Sequence, residues 1–233
     1  MLMYHLSIIP LLISLLLLAV LIIKFSEKIK KSKNLTNKFF FLFLIFLFIH
    51  ILLKINISLI SPDLDISKTS KFVGSADYIF LISLMSFSNF ALVGTTVFFV
   101  LTGLSLRGVK TIEYLAVIFL VILWFFNLLF VELSIFYSPI SGWEIIGDET
   151  INLFYNLPLS LFLIYLLVNI SELYLNEKRK ELKKKLRLFA SGSTILVFGI
   201  LFYYMFLRQI SAMSGLDTII LALSSIFFYK SFK

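Results

Sequence analysis

"KFFFLFLIFLFIHILLKINISLI", residues 38 to 60, decides what kind of fold this chain adopts. Apolar residues run without a break from Phe39 to Ile49, and only His50, Lys54, Asn56 and Ser58 interrupt the rest. A helix of this length spans about 34 Å at 1.5 Å per residue, enough to cross a hydrocarbon core of about 30 Å. The run does not alternate apolar with polar residues as a barrel strand would. In lipid its backbone can therefore satisfy its hydrogen bonds only as a helix.

Working outward, six further stretches meet the same requirement: residues 4–23, 77–101, 111–131, 151–173, 189–207 and 214–230. With 60% hydrophobic and 15% charged residues, the 233-residue chain lies outside the range of soluble domains. The expected fold is an all-α integral membrane protein, a single domain over 1–233 built as a bundle of seven transmembrane helices. No long soluble segment or repeat interrupts this plan, and no catalytic domain is expected after the last span. "MLMYH" at the start has no basic region and no small-residue cleavage site closes the first span, which therefore reads as a retained helix.

Charge sets the expected orientation. Of the 21 basic residues, all but Lys54, Lys68, Lys71 and Arg208 fall in segments that are cytoplasmic if the N-terminus is outside and the C-terminus cytoplasmic. Asp63, Asp65, Asp77, Glu132, Glu144, Asp148, Glu149 and Asp217 gather on the other side. Interfacial aromatics fit the same plan, with Tyr78, Tyr137, Trp143, Tyr203 and Tyr204 outside and Tyr114, Tyr174 and Tyr229 inside. The multi-pass cell membrane is the expected location. The net charge of +8 is thus an orientation signal, and nucleic acid is not an expected partner.

The densest basic stretch is "NEKRKELKKKLR", residues 176–187, with Lys178, Arg179, Lys180, Lys183, Lys184, Lys185 and Arg187. Neither Gly nor Pro occurs from Leu159 to Ser191, so the fifth helix is expected to run on into this stretch, with Glu181 and Lys185 as an i,i+4 pair. Its charge suits anionic lipid or a cytoplasmic signalling partner.

Candidate binding residues are the polar groups at membrane depth. His50 and Lys54, four apart, share one helix face. One reading has Lys54 snorkelling to the interface and His50 hydrogen-bonding a neighbouring helix. The other makes them the basic wall of an outward-facing ligand pocket, with Asp77, Glu132 or Asp217 as counter-charge and Trp143 in a lid loop. Asn152, Tyr155 and Asn156 stand beside Pro158, where a kink is expected, and form a second candidate contact set. Asn89 and Asn127 are expected to hydrogen-bond between helices, and Ala190 with Thr194, Ser83 with Ser86 and Phe90, and Ser211 with Gly215 to allow close helix packing. The 27 phenylalanines are given no functional weight.

Absences narrow the function. Without cysteine there is no disulfide, thiolate or iron–sulfur chemistry. His5 and His50 differ too much in depth to bridge a haem, Lys230 lies at the end of the seventh span where a retinal lysine would need to be inside it, and no P-loop or catalytic triad pattern occurs. No cofactor, metal or enzymatic activity is expected.

Span order, the polar third span "SADYIFLISLMSFSNFALVGTTVFF" and the basic lead into the sixth, "KKKLRLFASGSTILVFGILFYY", resemble the seven-helix membrane sensor region of some bacterial histidine kinases and related signalling proteins. The resemblance implies ligand sensing from outside or from the bilayer, and coupling to a cytoplasmic partner. The alternative is a non-catalytic scaffold subunit of a transporter or other membrane complex.

Overall fold

The computed structural model describes residues 2–31, 34–59, 76–107, 134–138, 142–146, 149–202 and 216–232, together with positions 114, 115, 117, 118, 121, 122 and 125. The elements among them are α1 (Leu2–Lys31), α2 (Leu35–Leu59), α3 (Ala76–Arg107), β1 (Ser134–Ser138), β2 (Gly142–Ile146), α4 (Glu149–Asn176), α5 (Lys180–Phe202) and α6 (Leu216–Phe232). The six helices coincide with the first, second, third, fifth, sixth and seventh expected spans. Within the fourth, the described positions from Tyr114 to Phe125 are helical. Ile8–Lys30, Leu35–Leu59 and Tyr78–Ser105 are long and apolar enough to cross a membrane, and Leu163–Asn176 and Ile219–Ser231 are shorter apolar helices. The chain is a helical, membrane-associated protein.

Two connections between consecutive helices are short: α1 to α2 and α4 to α5. Between α1 and α2, the Asn34 side chain accepts the Thr36 N–H at 2.9 Å, an N-cap that starts α2. Each helix packs against its neighbour in the chain, and α6 closes the ring by packing against α1. Chain direction alternates between α1 and α2 and between α4 and α5. One end of the bundle therefore collects the end of α1, the starts of α2 and α5, and the ends of α3, α4 and α6. This is the basic end.

Near it the ring is filled with phenylalanine. Phe25, Phe40, Phe43, Phe99, Phe189 and Phe228, from α1, α2, α3, α5 and α6, are all buried. Ring centroids are 5.1 Å apart for Phe25 and Phe40, 5.2 Å for Phe43 and Phe99, and 5.5 Å for Phe189 and Phe228, while Phe43 meets Phe228 edge-on at 84°. Edge-to-face and tilted pairs add about 0.5–1.5 kcal/mol each beyond their buried area. Phenylalanine abundance thus has a packing role that composition did not reveal.

The close helix contact of α5 on α6 runs through Gly192 and Gly199. A Cβ on Gly192 would lie 3.0 Å from Phe227 Cβ, and one on Gly199 would lie 2.9 Å from Ile220 Cγ2. Thr194, in contrast, is exposed and donates to the Ala190 carbonyl of its own helix at 2.9 Å. The expected Ala190–Thr194 face is therefore not the seam; two residues without a side chain approach more closely than Ala and Thr can. Ser211 and Gly215 lie outside the described residues.

The polarity of α3 is absorbed within the helix. Thr95, Thr96 and Thr102 donate to the carbonyls of Ala91, Leu92 and Phe98 at 2.7–3.0 Å. Such back-bonding satisfies a hydroxyl in an apolar setting. Asn89 lies on the exposed side of α3 and makes no interhelical bridge among the described residues. Ser88, one residue earlier, is buried and takes that role. Asn127 lies outside the described residues.

Two features depart from the expected plan. β1 and β2 form an antiparallel hairpin with Ser138 opposite Gly142 and Tyr137 opposite Trp143. Trp143 therefore belongs to a strand and not to a lid loop. The hairpin matches β-branched and aromatic residues flanking Pro139 and Gly142. Second, the fifth helix does not run on into the basic stretch: α4 ends at Asn176 and α5 starts at Lys180. The Glu177 carboxylate accepts the Arg179 N–H at 2.9 Å and the Arg179 guanidinium at 3.0 and 3.2 Å, folding the chain back with neither Gly nor Pro. The Arg179 carbonyl then accepts the first helical bond of α5, from Lys183 N–H.

Candidate functional site

At the end of the bundle opposite the basic one, α2 carries two polar side chains one turn apart. Both find partners on other helices. His50 is buried, and its Nδ1 lies 2.9 Å from the Ser88 carbonyl and 3.1 Å from Ser88 Oγ on α3. A carbonyl oxygen only accepts, so this geometry assigns the proton to Nδ1. In the neutral ring Nε2 then keeps a lone pair. The interhelical hydrogen bond is the packing role that the sequence offered for His50.

Lys54 does not simply snorkel. Its ammonium forms an ion pair with the Asp217 carboxylate in the first turn of α6. The lysine side chain keeps 29% of its exposure and the aspartate 12%, so the pair is largely withdrawn from water. Asp217 sits where a helix N-terminus favours an anion. Of the three counter-charges expected for Lys54, Asp217 meets it. The Asp77 side chain and Glu132 lie outside the described residues.

The other candidates are distributed differently. β2, which carries Trp143, comes close to α2, the helix of His50 and Lys54. Asn152, Tyr155 and Asn156 lie in the first turns of α4, a helix that continues through Pro158 and packs chiefly against α3 and α5. Their side chains, like that of Trp143, lie outside the described residues. The structure thus joins His50, Lys54, Ser88 and Asp217, and brings the strand of Trp143 near them.

Among the buried polar residues that escaped notice in the sequence, Asn169 and Ser14 stand out. Asn169 of α4 is buried and donates to the Tyr165 carbonyl at 2.7 Å. An amide inside "LFLIYLLVNISEL" is the signal that could have found it. Ser14 of α1 is fully buried, and its hydroxyl has no hydrogen-bond partner among the described residues. Serine is common enough in apolar helices that nothing in the sequence singles it out.

In the basic segment the seven cations divide into two groups. Arg179 is tied to Glu177, whose carboxyl is held well below the usual range, at about 2, first by the side-chain hydrogen bond from Arg179 and then by the Arg179 backbone N–H. Lys183 lies over the Tyr174 ring at 5.2 Å, a cation–π contact across the α4–α5 turn. Lys178, Lys180, Lys184, Lys185 and Arg187 are exposed. No ion pair joins Glu181 to Lys185 among the described residues, contrary to the i,i+4 expectation. Among the described residues no cluster of His, Asp or Glu is grouped to hold a metal ion. No protein-family model, curated protein or solved structure matches this chain.

Proposed function

We propose that the chain is a seven-span protein of the cell membrane, N-terminus outside and C-terminus cytoplasmic, that acts as a receptor-like sensor. A ligand reaching the outer end competes for the Lys54–Asp217 pair and so releases the start of α6. The observation that carries this reading is the course of α6. It begins at Asp217 in the ion pair, packs along the Gly192–Gly199 seam of α5, and ends with Phe228 inside the aromatic core. A helix packed this closely moves as a unit, so displacement at one end reaches the other. The exposed cations of α5 then present that movement to a cytoplasmic partner of acidic character.

The natural absence of cysteine makes the test clean. Single cysteines at Thr69 and Ser141 should react with an impermeant maleimide on intact cells, and those at Asn34 and Lys184 only after permeabilisation. Spin labels at Lys38 and Lys230 should then report a change of about 1–2 Å or more at the basic end when Asp217 is changed to Asn. An unchanged distance, together with stoichiometric co-purification of other integral membrane subunits, would replace the sensor by the scaffold reading.

A further inference from the structure

The lysines at the end of α1 are arranged unlike those of the α5 segment. Lys24 donates to the Tyr229 hydroxyl of α6 at 3.3 Å and lies 5.1 Å from the centre of that ring. Lys28, one turn on, lies 5.5 Å from the centre of the buried Phe25 ring. Both ammonium groups are thus held over aromatic faces at the corner between α1 and α6. Neither is ion-paired among the described residues, although Glu27 lies beside them on α1. Because the Tyr229 oxygen accepts from Lys24, its own proton remains to be donated. The corner therefore offers two cations and a hydroxyl donor, a set that suits phosphate oxygens.

The same line along α1 continues into apolar surface. Leu16, Val20, Lys24 and Lys28 follow one another at four-residue spacing, with Leu16 67% and Val20 41% exposed. Residues four apart are stacked neighbours on a helix surface. A chain lying over Leu16 and Val20 would bring a linked phosphate to Lys24 and Lys28.

We infer that this corner binds one anionic phospholipid, its acyl chain along Leu16 and Val20 and its headgroup phosphate on Lys24, Lys28 and the Tyr229 hydroxyl. The inference needs α1 to cross the membrane and is independent of the sensor reading.

Native mass spectrometry of the full chain in detergent, titrated with phosphatidylglycerol, tests it. Lys24→Ala/Lys28→Ala should weaken binding about 30-fold, from the attraction of two interfacial lysines. Tyr229→Phe, which leaves the ring and removes one hydrogen bond, should weaken it about fivefold. Lys30→Ala/Lys38→Ala removes the same charge from the same end of the bundle and should leave binding within about threefold of the parent. Equal losses in both double variants would show diffuse charge attraction and overturn the site. If glycerol phosphate displaced the lipid at equal concentration, the ligand would be a soluble phosphate and the acyl-chain contact would be refuted. Unaltered thermal unfolding of each variant confirms that binding, and not folding, has changed.

Discussion

The two ends of the bundle are held by different physics. At the basic end six phenylalanines from five helices interlock ring against ring. At the other, α2 is tied to α3 by the His50–Ser88 contact and to α6 by the Lys54–Asp217 ion pair. Within a bilayer, apolar side chains gain little by leaving lipid for protein, so a stable apolar contact must come from close fit. Interlocked rings provide that fit, and it is not released by a solute. An ion pair is directional, partly wet and open to competition. The contrast assigns rigidity to one end and responsiveness to the other.

The largest expected effect tests the rigid end. Phe228 meets Phe40, Phe43, Phe99 and Phe189 with centroids 5.5–6.4 Å away. Phe228→Ala should cost about 3–5 kcal/mol of stability in micelles, measured by reversible unfolding. Leu223→Ala, at a position 45% exposed on the same helix, should cost under about 1 kcal/mol. Comparable losses at both positions would break the contrast, because the rings would then be no more than bulk.

The next effect tests the responsive end. Lys54→Met and Asp217→Leu should each cost about 2 kcal/mol, discounted from the value for a fully buried pair because both side chains keep some exposure. The double variant should return to within about 1 kcal/mol of the parent, since neither charge is left alone. A cycle with no coupling would mean the pair does not hold α6, and the sensor reading would lose its carrying observation.

How much of this was legible in the sequence follows from the range of the interactions. Helix positions were readable because each depends on local composition, and helix α2, Leu35–Leu59, falls almost where residues 38–60 placed it. His50 and Lys54 stood out because polar groups are rare in such a run. Asp217 was one of three possible counter-charges, and only tertiary packing distinguishes among them. The break at Glu177–Arg179 was missed because no Gly or Pro marks it. A carboxylate folding back onto its own chain leaves no compositional trace. The Gly192–Gly199 seam was passed over for Ala190 and Thr194 because spacing alone does not say which face of a helix meets its neighbour.

A smaller effect lies at Ser14. Its buried hydroxyl has no partner among the described residues, and an unsatisfied group of this kind costs about 1–3 kcal/mol. Ser14→Ala should therefore raise stability by about 1 kcal/mol, read as a higher unfolding midpoint in the same micelles. A fall would show that the hydroxyl is in use.

The smallest effect separates the basic end's surface from its core. Glu177 titrates at about 2 in the folded chain against an ordinary 4.5, because Arg179 donates to its carboxylate. A depressed carboxyl contributes stability that is fully present above the ordinary value and is lost as pH falls through the folded one. The α4–α5 turn should therefore be insensitive to pH above about 5 and loosen between about 4.5 and 2. The amide resonance of Arg179, whose N–H the carboxylate accepts, should shift with a midpoint near 2, and Glu177→Gln should abolish the shift. A midpoint near 4.5 would show the turn open in solution. The aromatic resonances of Phe40 and Phe228 should not move over the same range, since Glu177 belongs to the α4–α5 turn and not to those rings. If they did move, the turn and the core would be one cooperative unit, and the basic end could no longer be treated as a rigid base carrying an adjustable surface.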